Sequence, residues 1–217
     1  MAAAMDSNDD DSAAAQAEAG LYLDLIARTG STLTEPILRK AMESPNTWIA
    51  MWGAIGLERI GRGAPDPVIL RVAADASCRR AMHLSLGELR RLDRFPGEFA
   101  DQRHLAEAEM VTWLMYPTEL GSAPAEIELA RVVELPNAGD PSDLYVFRFR
   151  TRPPHWASDK GWMIGVAGPF RRAEQPTLNS QGATFSRMES ESEKALDEHI
   201  QAIVGTVADW RGPPDLR

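Results

Sequence analysis

The residues best equipped for chemistry lie between Arg148 and Arg172. Arg148, Arg150, Arg152, Lys160, Arg171 and Arg172 face only Asp159 among acids there, and His155, Trp156 and Trp162 are interleaved with them. Guanidinium groups stack on aromatic faces, and Arg and Trp concentrate at the energetic centres of binding surfaces. The chemistry implied is recognition. Arg148, Arg150, His155, Trp156, Lys160 and Trp162 are the candidate binding residues, and an acidic peptide or protein surface is the expected partner. A plainer account makes Arg148 and Arg150 the solvent face of an edge strand, protecting it from aggregation, with Trp162 in the core.

Signals for catalysis are weak. None of His83, His104, His155 and His199 lies three to five residues from another histidine, so no zinc-type pair exists. No metal and no cofactor is expected. His83 is expected to pack, and His199, one position off the apolar stripe of the last helix, to sit at a helix surface or core edge. Cys78 lies near a helix start between Ser77 and Arg79-Arg80, where the dipole and cations lower a thiol pKa; a lone cysteine is also commonly a small buried residue. There is no G-x-S-x-G elbow, and Gly165 to Gly168 lacks the Lys-Ser/Thr end of a phosphate loop. Glu189, Glu191 and Glu193 fall at the first turn of the last helix, where the dipole favours carboxylates.

Length and charge narrow the classes further. The chain has 217 residues, enough for one large domain or two small ones. Its net charge of -9 opposes affinity for nucleic acid or anionic membranes. One cysteine excludes an intrachain disulfide and a Cys-cluster metal site, and suits a reducing cytoplasm. No apolar run reaches the roughly 18 residues of a membrane span, and no secretory signal is expected at the N-terminus. The excess of Arg over Lys reflects coding bias rather than function.

The elements that must position these residues change character midway. Residues 1–17 are Ala, Asp, Ser and Asn with little to bury, so a disordered acidic tail is expected. Residues 18–115 read as helices. Leu21 to Arg28 is compact and ends at Gly30. Glu35-Pro36, Ser44-Pro45 and Asp66-Pro67 each give a helix start with Pro in the first turn. Trp48, Trp52 and Ile55 share a stripe, and Gly53 and Gly56 beside it would let a neighbouring helix approach closely. A longer helix carries Met82, Leu86, Leu89 and Leu92, and another spans Asp101 to Met115.

Two of these helix pairs look like copies. An offset of 31 places Glu35-Pro36 on Asp66-Pro67, Ala50-Met51 on Ala81-Met82, Ile55-Gly56 on Leu86-Gly87 and Arg59 on Arg90. A helical hairpin recurring at this period implies an α-solenoid. The run VILRVAADASCRRAMHLSLGELRRL, with its Pro-led helix, Arg, Ala pair and small–Gly–Leu ending, resembles the short HEAT-like repeats of the phycobiliprotein-lyase type. The likeness covers about Thr34 to Leu92. It implies a helical scaffold for protein interaction and carries no activity.

From Tyr116 onward the period is two. Ile127, Leu129, Val133 and Leu135 mark one strand face. Leu144 to Arg150 is a second strand, with Tyr145, Phe147 and Phe149 on one side and Leu144, Val146, Arg148 and Arg150 on the other. Trp162 to Ala167 is a third, closed by Gly168-Pro169, and Ala183 to Arg187 a short fourth. Ser190 with Glu193 forms a capping box for a last helix with Leu196, Ile200, Ile203 and Val207 on one stripe, expected to cover one face of the sheet. The stretch from PTELG through YVFRFR and WMIGVAGPF to TFS is similar to the C-terminal module of some uncharacterised bacterial HEAT-repeat proteins.

The expected fold is α+β: a HEAT-like solenoid over 18–115, an antiparallel sheet with a C-terminal helix over 116–210, and a Pro-rich tail over 211–217. The expected function is a non-enzymatic cytoplasmic module that binds a protein partner, without nucleic acid or membrane. Two alternatives stand beside it. One is a small enzyme or ligand binder using Tyr116, Glu119, His155 and Trp156 in a pocket between the two parts. The other is a toxin-neutralising partner protein.

Overall fold

The structure, a computed structural model, describes residues 18–135, 141–178, 185–190 and 195–210. The expected tails over 1–17 and 211–217, and Glu193, lie outside them; Ser190, expected to cap the last helix, instead ends the strand Phe185–Ser190, and that helix starts at Leu196. The protein is α+β, and it divides into two compact units, Met1–Ala100 and Asp101–Arg217.

Unit 1 is helical. Helix α1 spans residues 18–28, and α2 (Glu35–Met42), α3 (Thr47–Arg59), α4 (Asp66–Ala74) and α5 (Ala76–Glu88) follow, with 3-10 turns at Leu92–Arg94 and Gly97–Phe99. Pro36 and Pro67 sit in the first turns of α2 and α4, where a missing N–H costs nothing. The start of α3 comes from Asn46 rather than Ser44-Pro45: the Asn46 side chain accepts from the N–H groups of Trp48 and Ile49. Asp75 caps α5 in the same way, through Ser77 N–H.

Positions 31 residues apart in α2–α3 and α4–α5 share burial. Buried Leu38, Met51 and Ile55 correspond to buried Ile69, Met82 and Leu86, and all six belong to one core. Close packing of α2 on α3 depends on Gly53. A Cβ there would stand 2.7 Å from Leu38 O and 2.9 Å from Met42 N, so a side chain would push the α2 backbone away.

Unit 2 is a four-stranded antiparallel sheet in the order β1-β2-β3-β4, with strands Glu126–Leu135, Ser142–Arg150, Met163–Arg171 and Phe185–Ser190. Helix α6 (Gln102–Leu114) packs Ala106, Met110 and Leu114 on Tyr145, Phe147, Phe149 and Met163. Helix α7 (Leu196–Trp210) packs Ile200 and Ile203 on Leu144, Val146, Ile164 and Val166. Strand β2 alternates faces as its sequence implies, so the sheet is the middle layer of three. Helix α6 thus belongs with the sheet, and the division falls at Ala100/Asp101 instead of 115/116.

Three further expectations are corrected. Ile127 and Leu129 face α6, but Val133 and Leu135 face α7, because the register slips between Leu129 and Arg131. One extra residue turns the rest of the strand over. Strand β3 runs through Gly168-Pro169 instead of ending there: a bulge opposite Asp143 and Tyr145 holds Gly168 at φ +121, where a Cβ would lie 2.8 Å from Asp143 O. His199 is fully buried, not at a surface.

Candidate functional site

The basic stretch is dispersed by the fold. Strand β3 carries it from one end of the sheet, where Met163 pairs with Phe149, to the other, where Arg171 pairs with Ser142. At that far end Arg172 grips buried Asp143 through Nε at 2.9 Å and Nη2 at 2.7 Å, and reaches Glu134 at 3.0 Å. Gln175 adds a bond to Asp143 at 3.1 Å. This is a clamp that fastens the segment after β3 to β2. Arg171 pairs with Glu174 at 3.1 Å.

The near end holds the six residues singled out by type. Strand β2 is internal, so Arg148 and Arg150 do not guard an edge. They stand directly opposite Glu128 and Glu126 in the β1 register. Arg148 pairs with Glu128, Arg150 with Glu126 at 2.7 Å, and Arg152 with the other Glu126 oxygen at 2.9 Å. Hydrogen bonds from Arg152 and Arg150 hold the Glu126 carboxyl below the usual range. Trp162 is half-buried rather than core, and the guanidinium carbons of Arg148 and Arg150 each lie 4.8 Å from the centre of its ring system. These cross-strand pairs and stacks bind the hairpin to the following loop. The pairs also offset most of its charge: Arg148, Arg150, Arg152 and Lys160 stand against Glu126, Glu128 and Asp159.

The loop over 151–162 is pinned by His155. Its Nδ1 accepts from Ala157 N–H at 3.1 Å, so the ring proton sits on Nε2, which donates to Leu120 O at 3.0 Å. Ala157 is fully buried and packs, with Leu120, into the core beneath α6. The histidine therefore ties the loop to the turn over 116–121 that follows α6. That turn is itself closed by Leu120 and Gly121 N–H groups on Leu114 O.

The tie brings two large exposed rings to the same end of the unit. Trp156 is 58% exposed and Tyr116 is 55% exposed. Trp156 leans on the His155 ring at 5.6 Å, and Tyr116 meets Trp113 edge-on at 6.0 Å. Lys160 is half-buried in the 3-10 turn Ser158–Lys160. Of the six residues singled out, Arg148, Arg150, Trp162 and His155 hold the structure together, and Trp156 is the one presented outward.

The other reactive groups are quiet. Cys78 is buried, and burial together with Asp75 pushes its thiol up to about 12, the reverse of activation at a helix start. His83 meets Phe95 edge-on at 4.9 Å, and burial lowers its pKa. His104 bonds Asp101 at 2.8 Å. Among the described residues no group of three His, Cys, Asp or Glu side chains could hold a metal ion, and no helix is long and apolar enough to cross a membrane.

Glu126 and Glu128 join the candidate site as the ion-pair partners of Arg148, Arg150 and Arg152, and residue type alone does not single them out. Their signal was present as an acidic alternation in β1 matching the Arg148–Arg150 alternation in β2, and it becomes legible only with the register. Comparison with protein-family models, curated proteins and solved structures finds no match to this chain.

Proposed function

We propose that the protein is a non-enzymatic protein-interaction module of the cytoplasm. Its helical unit is read as a short HEAT-like stack, and its sheet unit presents Trp156, with Tyr116 exposed on the turn to which the loop is tied, as the anchor of the contact. The observation that carries this reading is an aromatic ring left exposed on a loop whose backbone is pinned on both sides. Exposed large aromatics lose apolar hydration only when a partner covers them, and a pinned loop avoids the ordering cost of binding. The recurring buried positions of α2–α3 and α4–α5 support the repeat reading of the helical unit.

The pairing of Arg148 and Arg150 with Glu128 and Glu126 shapes the partner. A purely acidic peptide would have to displace two built-in carboxylates. A protein surface offering an apolar pocket for Trp156, with a carboxylate near Arg152 or Lys160, fits better. The enzyme alternative would use His155 as a base, but both its ring nitrogens are engaged in fixing the loop.

The test is affinity capture with the wild-type chain, with Trp156→Ala plus Tyr116→Ala, and with Arg150→Ala. The aromatic pair variant should lose the captured protein, and Arg150→Ala should weaken it. Equal recovery of the same proteins by all three removes the corner as the binding surface.

A further inference from the structure

Unit 1 carries a second feature of different chemistry. An open groove of about 630 Å³ runs between the first turn of α4 and the 3-10 turns that follow α5. It arises from the phase of α4. Ile69, Val72 and Ala73 face the core, which leaves Pro67 and Leu70, one turn apart, on the outer side; Leu70 is 42% exposed. The opposite wall is Phe95 and Pro96. Phe95 is itself buried and braced by His83, so the floor is apolar and rigid.

Arg94 holds the two walls at a fixed separation. Its guanidinium donates to Ala64 O and to Asp66, both at 2.7 Å, and lies 3.3 Å from the Glu58 carboxylate. Glu58 is fully enclosed, accepts from Ala64 N–H at 2.8 Å, and also meets Arg91 at 3.3 Å. The cation inside the groove is thus committed to the protein. With the enclosed Glu58 included, the charges around the groove do not balance: Arg91 and Arg94 stand against Glu58, Asp66 and Asp93. The Asp66 and Asp93 side chains are 88% and 71% exposed, and Asp93 comes no closer than 3.9 Å to Arg91.

We propose that this groove docks a short basic–apolar peptide segment of a partner protein. A leucine- or methionine-sized side chain lies on Leu70, Pro67 and Phe95, and an adjacent Arg or Lys meets Asp66 and Asp93. Charge complementarity selects this occupant. An acidic segment would add to a local excess of one carboxylate, and a neutral apolar segment would leave that excess unmatched: Arg94 is shared between Asp66 and the enclosed Glu58, and Asp93 lies 3.9 Å from Arg91. The site lies in the helical unit and does not involve Trp156 or Tyr116.

Amide shifts of the full chain, titrated with three capped tetrapeptides, test it: acetyl-Leu-Arg-Leu-Arg-amide, acetyl-Leu-Glu-Leu-Glu-amide and acetyl-Ser-Arg-Ser-Arg-amide. The first should move the amides of Leu70, Phe95 and Gly97. It should bind about tenfold more tightly than either control, since the acidic peptide loses the ion pairs and the serine peptide the apolar anchor. Asp66→Asn plus Asp93→Asn should weaken it roughly three- to tenfold, and Leu70→Ser, an exposed position, should do the same. Trp156→Ala plus Tyr116→Ala should leave the titration unchanged, so the groove and the aromatic corner fail or succeed separately. Shifts equal for all three peptides, or absent from Leu70, Phe95 and Gly97, overturn the proposal. So does concentration-dependent self-association in sedimentation that Asp66→Asn plus Asp93→Asn abolishes, because the occupant would then be a second copy of the chain.

Discussion

Replacement of His155 separates the two bonds that pin the loop. In His155→Ala the Ala157 N–H loses its acceptor and Leu120 O loses its donor. Both residues are buried, so neither group is freely rehydrated. A net hydrogen bond is worth about 0.5–1.5 kcal/mol, which sets the loss at about 1–3 kcal/mol for the pair. In His155→Asn the side-chain oxygen can still accept from the N–H two residues on, as in an Asx-turn, and only the Leu120 bond is lost. The asparagine variant should therefore lose about half as much. Native-state hydrogen exchange at Ala157 and Lys160 reads the loop directly. A loss of 2 kcal/mol corresponds to roughly 30-fold faster exchange where opening is local. Partner affinity should fall in the same order although no ring at the surface has been removed, because the loop must then be ordered on binding. Exchange at Ala157 within about threefold of wild type in His155→Ala would refute the pinning argument. Equal exchange in the alanine and asparagine variants would refute its division into two bonds.

Other expectations follow from the two cores. Cys78 in the native protein should resist a thiol-reactive disulfide reagent at pH 8, since the thiol is buried and its pKa is raised to about 12; it should label fully in denaturant, and rapid native labelling would contradict the burial. Gly53→Ala should destabilise unit 1 by about 0–2 kcal/mol, as overpacking of about 1–3 kcal/mol against the α2 backbone is partly offset by roughly 1 kcal/mol of helix propensity; a clear gain in the denaturation midpoint would show that α2 yields easily. Burial alone would raise the Asp24 pKa, but hydrogen bonds from Arg28 and Arg59 outweigh it and hold the carboxyl below its ordinary value of 3.8. The stabilisation is then present above pH 3.8 and is lost as pH falls through the lower, folded value. Asp24→Asn should flatten that part of the acid denaturation curve, and an unchanged slope would remove Asp24 from the account.

Local signals read well where the chain's own neighbours decide the outcome. Pro36 and Pro67 mark the starts of α2 and α4, and the alternation of Leu144 to Phe149 sorts that strand between two cores, because period and first-turn chemistry are properties of adjacent residues. The bulge near Ala130 has no such signature, since an extra residue is defined only against the partner strand. Helix α6 reads as part of the helical stretch, but belongs to the sheet unit, for a similar reason. Its buried positions include Gln102, Leu105, Ala106, Glu109, Met110, Val111 and Leu114, so no single stripe says what covers it, and the Met110 side chain that meets Gly165 of the sheet is one of several apolar side chains on it.

The same distinction governs the recognition site. Counted along the chain, Arg148 to Lys160 is a cluster of cations around aromatic rings. Counted in space, the carboxylates of Glu126 and Glu128 lie 20 to 26 residues upstream and directly across the hairpin. Strand pairing therefore cancels most of a charge that sequence windows report as concentrated. The Trp162 ring, likewise, is covered by Arg148 and Arg150 rather than offered to a ligand. An exposed ring escapes this kind of internal compensation only when nothing in its own unit reaches it. Trp156 meets that condition on its outer face, while His155 braces its inner one. For the proposed interaction the exposed surface of one indole then counts for more than the positive charge of the segment, and a pocket that can take that ring fits it better than an acidic peptide.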